Sequence, residues 1–123
     1  MAVVRVLVVD DVAAYLGAMV AVVAETPGFE VVGEASSGED ALVVATQSFP
    51  DLVLMDVHLP GIDGVEAARR LLVGAYPPTV VLLSTYDDDA GQQFLAESGA
   101  TAYVHKAAFG PDRLEQVWSA SQG

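Results

Sequence analysis

A chain of 123 residues, 53% hydrophobic and 18% charged, has the size of one domain around one core and is too apolar for disorder. Seventeen acids against five bases, a net charge of −12, argue against a nucleic-acid-binding surface and for cations or basic partners. No apolar run reaches the roughly 20 residues that span a bilayer, the absence of Cys removes disulfides and thiolate chemistry, and the N-terminus enters a strand-like run without a basic region or cleavage site, so a cytoplasmic location is expected.

Short Val/Leu-rich runs alternate with longer stretches of helical periodicity. Strands are predicted at residues 4–9, 30–35, 51–55, 79–83 and 101–105, with helices between and after them. These runs are apolar throughout rather than alternating, which implies a parallel sheet covered on both faces, a doubly wound α/β fold. In chain order, Ser37 with Asp40 marks the start of the second helix and Asp63 with Glu66 forms a capping-box pair before the third. The fourth helix, about 88–98, should be the weakest, because Gly91 in its interior costs about 1 kcal/mol relative to Ala. Pro111 suits the first position of the last helix, and residues 119–123 read as a frayed or truncated end. One domain, with a core over about residues 4–120, accounts for the chain.

A polar residue closes four of the five apolar runs. Asp10 and Asp11 follow the first, Asp56 the third, Ser84 the fourth, and Lys106, the single lysine, the fifth. In an open parallel sheet the carboxyl ends of the strands share one edge, where ligands bind, so these groups are predicted to meet. Two carboxylates about 4 Å apart at an effective dielectric near 20 repel by roughly 4 kcal/mol, so three of them require protons or a counter-cation. With oxygen ligands only, and no Cys or His pair, a hard dication such as Mg²⁺ fits, and such an ion commonly shares a phosphate oxygen. Each residue also has a plainer reading. Asp10 or Asp11 could cap the first helix, Asp56 could open a loop, residues 58–64 could be a stiff Pro/Gly turn, and Lys106 could be solvated. The combination carries the inference.

The segments VLVVDD, EVVGEASSGEDAL, PDLVLMDVHLPGIDGVEAARRL, VVLLSTYDDD and GATAYVHK, in this order and spacing, resemble the receiver domain of two-component response regulators over residues 4–120. EVVGEASSGEDAL further resembles receivers joined to helix-turn-helix output domains of the LuxR type. The resemblance implies a (βα)5 sandwich with strand order 2-1-3-4-5, as in flavodoxin-like folds, and a reversible aspartyl phosphate. Asp56 matches the phosphoacceptor, Asp11 a direct Mg²⁺ ligand, Asp10 its water-mediated neighbour, and the backbone carbonyl of His58 a further ligand. Lys106 matches the lysine that pairs with the phosphoryl oxygens, Ser84 the hydroxyl that bonds them, and Tyr103 the aromatic switch. The implied partners are a sensor histidine kinase and a C-terminal helix-turn-helix output domain, which is not in this chain; the oligomeric state stays open, since the exposed face of the first and fifth helices or the fourth-helix surface could each support a dimer.

Two departures accompany the match. Many receivers have Pro after the lysine, where this chain has Ala107. His58 and Tyr86 occupy variable positions that influence how water reaches the acyl phosphate, and both are bulky, so self-dephosphorylation is expected to be slow. His105 is expected to face outward beside Lys106. Among competing functions, an Asp-nucleophile phosphatase needs D-x-D where this chain has Asp10-Asp11-Val12. A flavodoxin-like electron carrier needs a Ser/Thr/Gly phosphate cradle, and the P-loop and dinucleotide glycine motifs do not occur. A phosphorylation-independent interaction module on the same fold is the remaining alternative.

Overall fold

The computed structural model describes residues 2–123. Strand and helix alternate as β1 (Val4–Val9), α1 (Ala13–Glu25), β2 (Phe29–Ala35), α2 (Gly38–Ser48), β3 (Leu52–Asp56), α3 (Gly64–Leu72), β4 (Thr79–Ser84), α4 (Asp88–Ser98), β5 (Ala102–His105) and α5 (Pro111–Gln122). All strand pairs are parallel, in the order β2-β1-β3-β4-β5. Every predicted strand is present to within a residue at each end. The winding reverses after β1, so the loops following β1 and β3 flank the switch point where doubly wound sheets bind ligands.

Side chains that alternate across each strand build two cores. Leu7, Val9, Val53, Met55, Val80 and Leu82 face α2, α3 and α4, where Ala41, Ala67, Ala68 and Leu71 close over them. Val6, Val8, Leu52, Leu54, Val81, Leu83 and Val104 face α1 and α5, against Met19, Val23, Leu114 and Val117. The central strands are thus buried on both faces, which is why they read as continuous apolar runs.

The helix boundaries follow the expected chemistry, with two corrections. Ser37 accepts the Asp40 N–H at 3.0 Å and Asp63 accepts the Glu66 N–H at 2.8 Å, while Pro111 opens α5 behind Gly110. The reciprocal half of the Asp63/Glu66 box is not made: the Glu66 carboxylate turns instead to the guanidinium groups of Arg69 and Arg70, one turn further along α3. Two cations on the same helical face outcompete one backbone N–H. Nor is the C-terminus frayed from residue 119. α5 runs to Gln122, whose amide reaches Thr79 Oγ1 at 3.3 Å and Ser121 Oγ at 2.9 Å.

Candidate functional site

Asp10 leaves β1 fully buried, Asp56 ends β3 at 3% exposure, and Ser84 ends β4 fully buried. Asp11 lies beside Asp10 but is exposed. One carboxylate oxygen from each of Asp10, Asp11 and Asp56 falls within a 4.8 Å group. Lys106 enters from the end of β5, its Nζ 2.7 Å from Asp10 Oδ2 and 3.1 Å from Asp56 Oδ1. Four of the predicted residues therefore share one charged pocket at the carboxyl edge of the sheet. Asp10 does not cap α1. Its Oδ1 accepts the N–H of Val12 at 2.9 Å, and the helix begins after Val12 without a side-chain cap.

The electrostatics of this group are unbalanced. Three carboxylates face one ammonium, and two of the three, Asp10 and Asp56, are buried where water screens them poorly. Burial holds the Asp56 carboxyl above the usual carboxylate range; the hydrogen bond from Lys106 opposes this and the Asp10 charge adds to it. Burial alone would lower Lys106, but its hydrogen bonds to Asp10 and Asp56, with their charges, outweigh it and hold the ammonium above its ordinary value. The all-oxygen donor set, compact and one cation short, suits a hard dication.

Ser84 and Tyr103 meet through one loop residue. Ser84 Oγ accepts the Tyr86 N–H at 3.0 Å, while the buried Tyr103 hydroxyl donates to the Tyr86 carbonyl and, at 3.4 Å, to that of Ser84. Tyr103 therefore lies inward. Burial raises its hydroxyl above the ordinary phenol value. His58 is exposed and its ring lies 4.3 Å from that of Tyr86, with Phe94 5.9 and 6.1 Å from the two. His105 is half-buried at the end of β5, its Nδ1 accepting the Ala107 N–H at 3.1 Å. No cis peptide occurs among the described residues, and Lys106–Ala108 form a 3₁₀ turn.

Several contributors were not evident from the sequence. The Lys106 ammonium sits 4.1 Å from the centre of the Tyr15 ring, a cation–π contact whose partner, in α1, no motif marks. Glu39 in α2 accepts the Ile62 N–H at 3.2 Å, steadying the loop that carries His58, and its own backbone N–H, followed by this bond, lowers its pKa. Gly64 lets α3 start against β3: a Cβ there would fall on the Asp56 carbonyl. Its position in Asp63-Gly64 signals a turn, not this contact.

A conserved-family model described as the response regulator receiver domain matches residues 6–118. The chain belongs to this family. It is 40% identical over 105 residues to the response regulator GacA of Pseudomonas aeruginosa, covering 85% of this chain and 49% of that one. It is similar to the signal receiver domain of the putative response regulator NarL from Mycobacterium tuberculosis, with 29% identity, a TM-score of 0.89, and 100% and 99% of the two chains covered. It also resembles a LuxR-family two-component response regulator from Aurantimonas, with 28% identity, a TM-score of 0.85, and 97% and 84% covered. The chain spans about half the length of the curated relatives it matches. Domains of this class are regulatory rather than catalysts of turnover, and no helix among the described residues is long and apolar enough to cross a membrane.

Proposed function

We propose that this domain accepts a phosphoryl group on Asp56 from a phosphohistidine of a sensor histidine kinase, or from a small phosphodonor, and that the modification changes the face formed by α4, β5 and α5. The observation that carries this reading is the grouping of the Asp10, Asp11 and Asp56 oxygens within 4.8 Å, with Lys106 bridging Asp10 and Asp56. In the transfer, a carboxylate oxygen of Asp56 forms the new O–P bond as the donor's P–N or P–O bond breaks. Lys106 keeps Asp56 ionised against its burial and turns its ammonium from the carboxylates to the phosphoryl oxygens. Asp10, Asp11, Asp56 and the His58 carbonyl would hold Mg²⁺, which when bound supplies positive charge to offset that of the transferring group. Ser84 gives up its bond from Tyr86 to donate its hydroxyl to the phosphoryl group, and Tyr103, tied to the same Tyr86, responds.

The output is a helix-turn-helix segment or partner protein, with a second copy of the domain docking through α1 and α5 or through α4, and the setting is the cytoplasm. The His58 and Tyr86 rings, packed together two residues beyond Asp56 and Ser84, slow water attack on the acyl phosphate. Asp56→Asn should abolish labelling by acetyl phosphate with Mg²⁺, and undiminished labelling would move the acceptor elsewhere. Asp11→Asn should raise the Mg²⁺ concentration needed for labelling. The label on the wild-type protein should outlast minutes, and its loss within seconds would overturn the slow-decay expectation.

A further inference from the structure

Gly91 lies in the first turns of α4, buried, and the Tyr103 ring rests flat against the space where its side chain would be. A Cβ at this position would stand 2.5 Å from Tyr103 Cγ and Cε2, and closer still to Cδ2. Real carbon atoms do not approach so closely, and the ring atoms struck are its rigid body rather than a flexible tip. The ring is held from its other sides as well. Phe94 packs at 6.2 Å between centroids, and the hydroxyl is tied to the Tyr86 carbonyl. Any side chain at 91 must therefore expel the ring or lift the start of α4 from the sheet.

We infer that Gly91 is the positioning residue that permits Tyr103 to lie inward, and that it sets the balance between inward and outward ring placements on the α4–β5–α5 face. Its place in the signalling rests on the phosphoacceptor reading above; its steric basis does not. Glycine weakens a helix interior, so its presence here exchanges helix stability for room. The far end of α4 is fixed independently: Arg69 of α3 donates from Nε at 3.1 Å and from Nη2 at 2.7 Å to the Glu97 carbonyl, and Gly99 closes the helix in the left-handed conformation. The near end is where ring and helix compete for the same volume. Tyr86 links that competition to Ser84, since its N–H bonds Ser84 and its carbonyl accepts from Tyr103. A smaller occupied volume at 91 favours ring-in; a larger one favours ring-out.

The test is a double-mutant cycle on the full chain without phosphate, comparing wild type, Gly91→Ala, Tyr103→Ala and the double variant by thermal unfolding. Alanine is the better helix former, so Gly91→Ala should raise the unfolding midpoint when Tyr103 is absent and lower it when Tyr103 is present. Tyr103→Leu replaces Tyr103→Ala if the latter does not fold. In the Gly91→Ala protein, nuclear Overhauser contacts between the Tyr103 and Phe94 rings should be lost. A rise of equal size in both backgrounds, or ring contacts kept at wild-type intensity in Gly91→Ala, would overturn the inference. Acetyl phosphate labelling of Gly91→Ala, run in parallel, separates the two readings. Absence of label on the wild type would sink the phosphoacceptor reading and leave the cycle intact. Retained label with a weakened chemical-shift response to beryllofluoride is the result expected if both hold.

Discussion

α3 and α4 are neighbours on the same face of the sheet, yet they are held in different ways. α3 has nine residues and buries Gly64, Val65, Ala67, Ala68 and Leu71; α4 has eleven and buries only Gly91 and Ser98, with Phe94 half-covered. α3 abuts the Asp56 backbone through Gly64, whereas α4 meets the sheet through an aromatic ring lying where a side chain is missing. The first helix is fixed against the residue proposed to be modified, and the second is held more loosely beside it. Local stability follows the number of buried apolar contacts, so a rigid element and a movable one can stand side by side on one sheet.

The largest contrast should appear on truncation. Leu71→Ala removes a buried anchor of α3 and should cost about 3 kcal/mol in chemical denaturation. Phe94→Ala, although it deletes more atoms, should cost only about 1.5 kcal/mol, because that side chain of α4 is only partly buried. Equal losses would remove the distinction between the helices. A smaller effect is expected at their junction. Arg69→Ala deprives the Glu97 carbonyl of its donor and should lower stability by about 1 kcal/mol, with hydrogen exchange accelerating in α4 while α3 is unchanged. Acceleration in α3 instead would mean that Arg69 serves its own helix through Glu66.

The smallest effect concerns the pocket's charge, where the sign matters more than the size. Burial raises the Asp56 carboxyl in the folded chain above its ordinary value of 3.8. The folded state therefore keeps a proton that the unfolded chain has released, and the stability this lends is complete below 3.8 and lost as pH rises through the raised value. Asp56→Asn carries no such charge. Without metal, its melting temperature should match the wild type at the acid end of that window and exceed it progressively above. A constant difference across the window would mean that ionisation of Asp56 is not the cause. At the alkaline end, the raised Lys106 lends stability present below 10.5 and lost as pH climbs through its folded value.

Much of this was legible in the residues. The apolar runs gave the strands because a parallel strand buried on both faces cannot afford polar positions, and Asp10, Asp56, Ser84 and Lys106 stood out because each ends such a run. Glu66 misled because its spacing from Asp63 satisfies a capping box equally well, and the competing arginines decide between partners only once their side chains are placed. Residues 119–123 read as a loose end because the partner of Gln122, Thr79, is remote in sequence. Tyr15 carried no mark at all, since a ring becomes a cation's neighbour only when the start of α1 is brought against the turn that carries Lys106.

The sequence by itself determined the order of the elements, the parallel sheet and the edge at which the acids gather, because hydrophobic period and strand-end polarity are local properties of the chain. Tertiary structure alone decided that Lys106 bridges Asp10 and Asp56, and that Gly91, locally a defect in a helix, is the opening into which Tyr103 fits. Both depend on distances between residues far apart in the chain, and those are fixed only when the helices close onto the sheet.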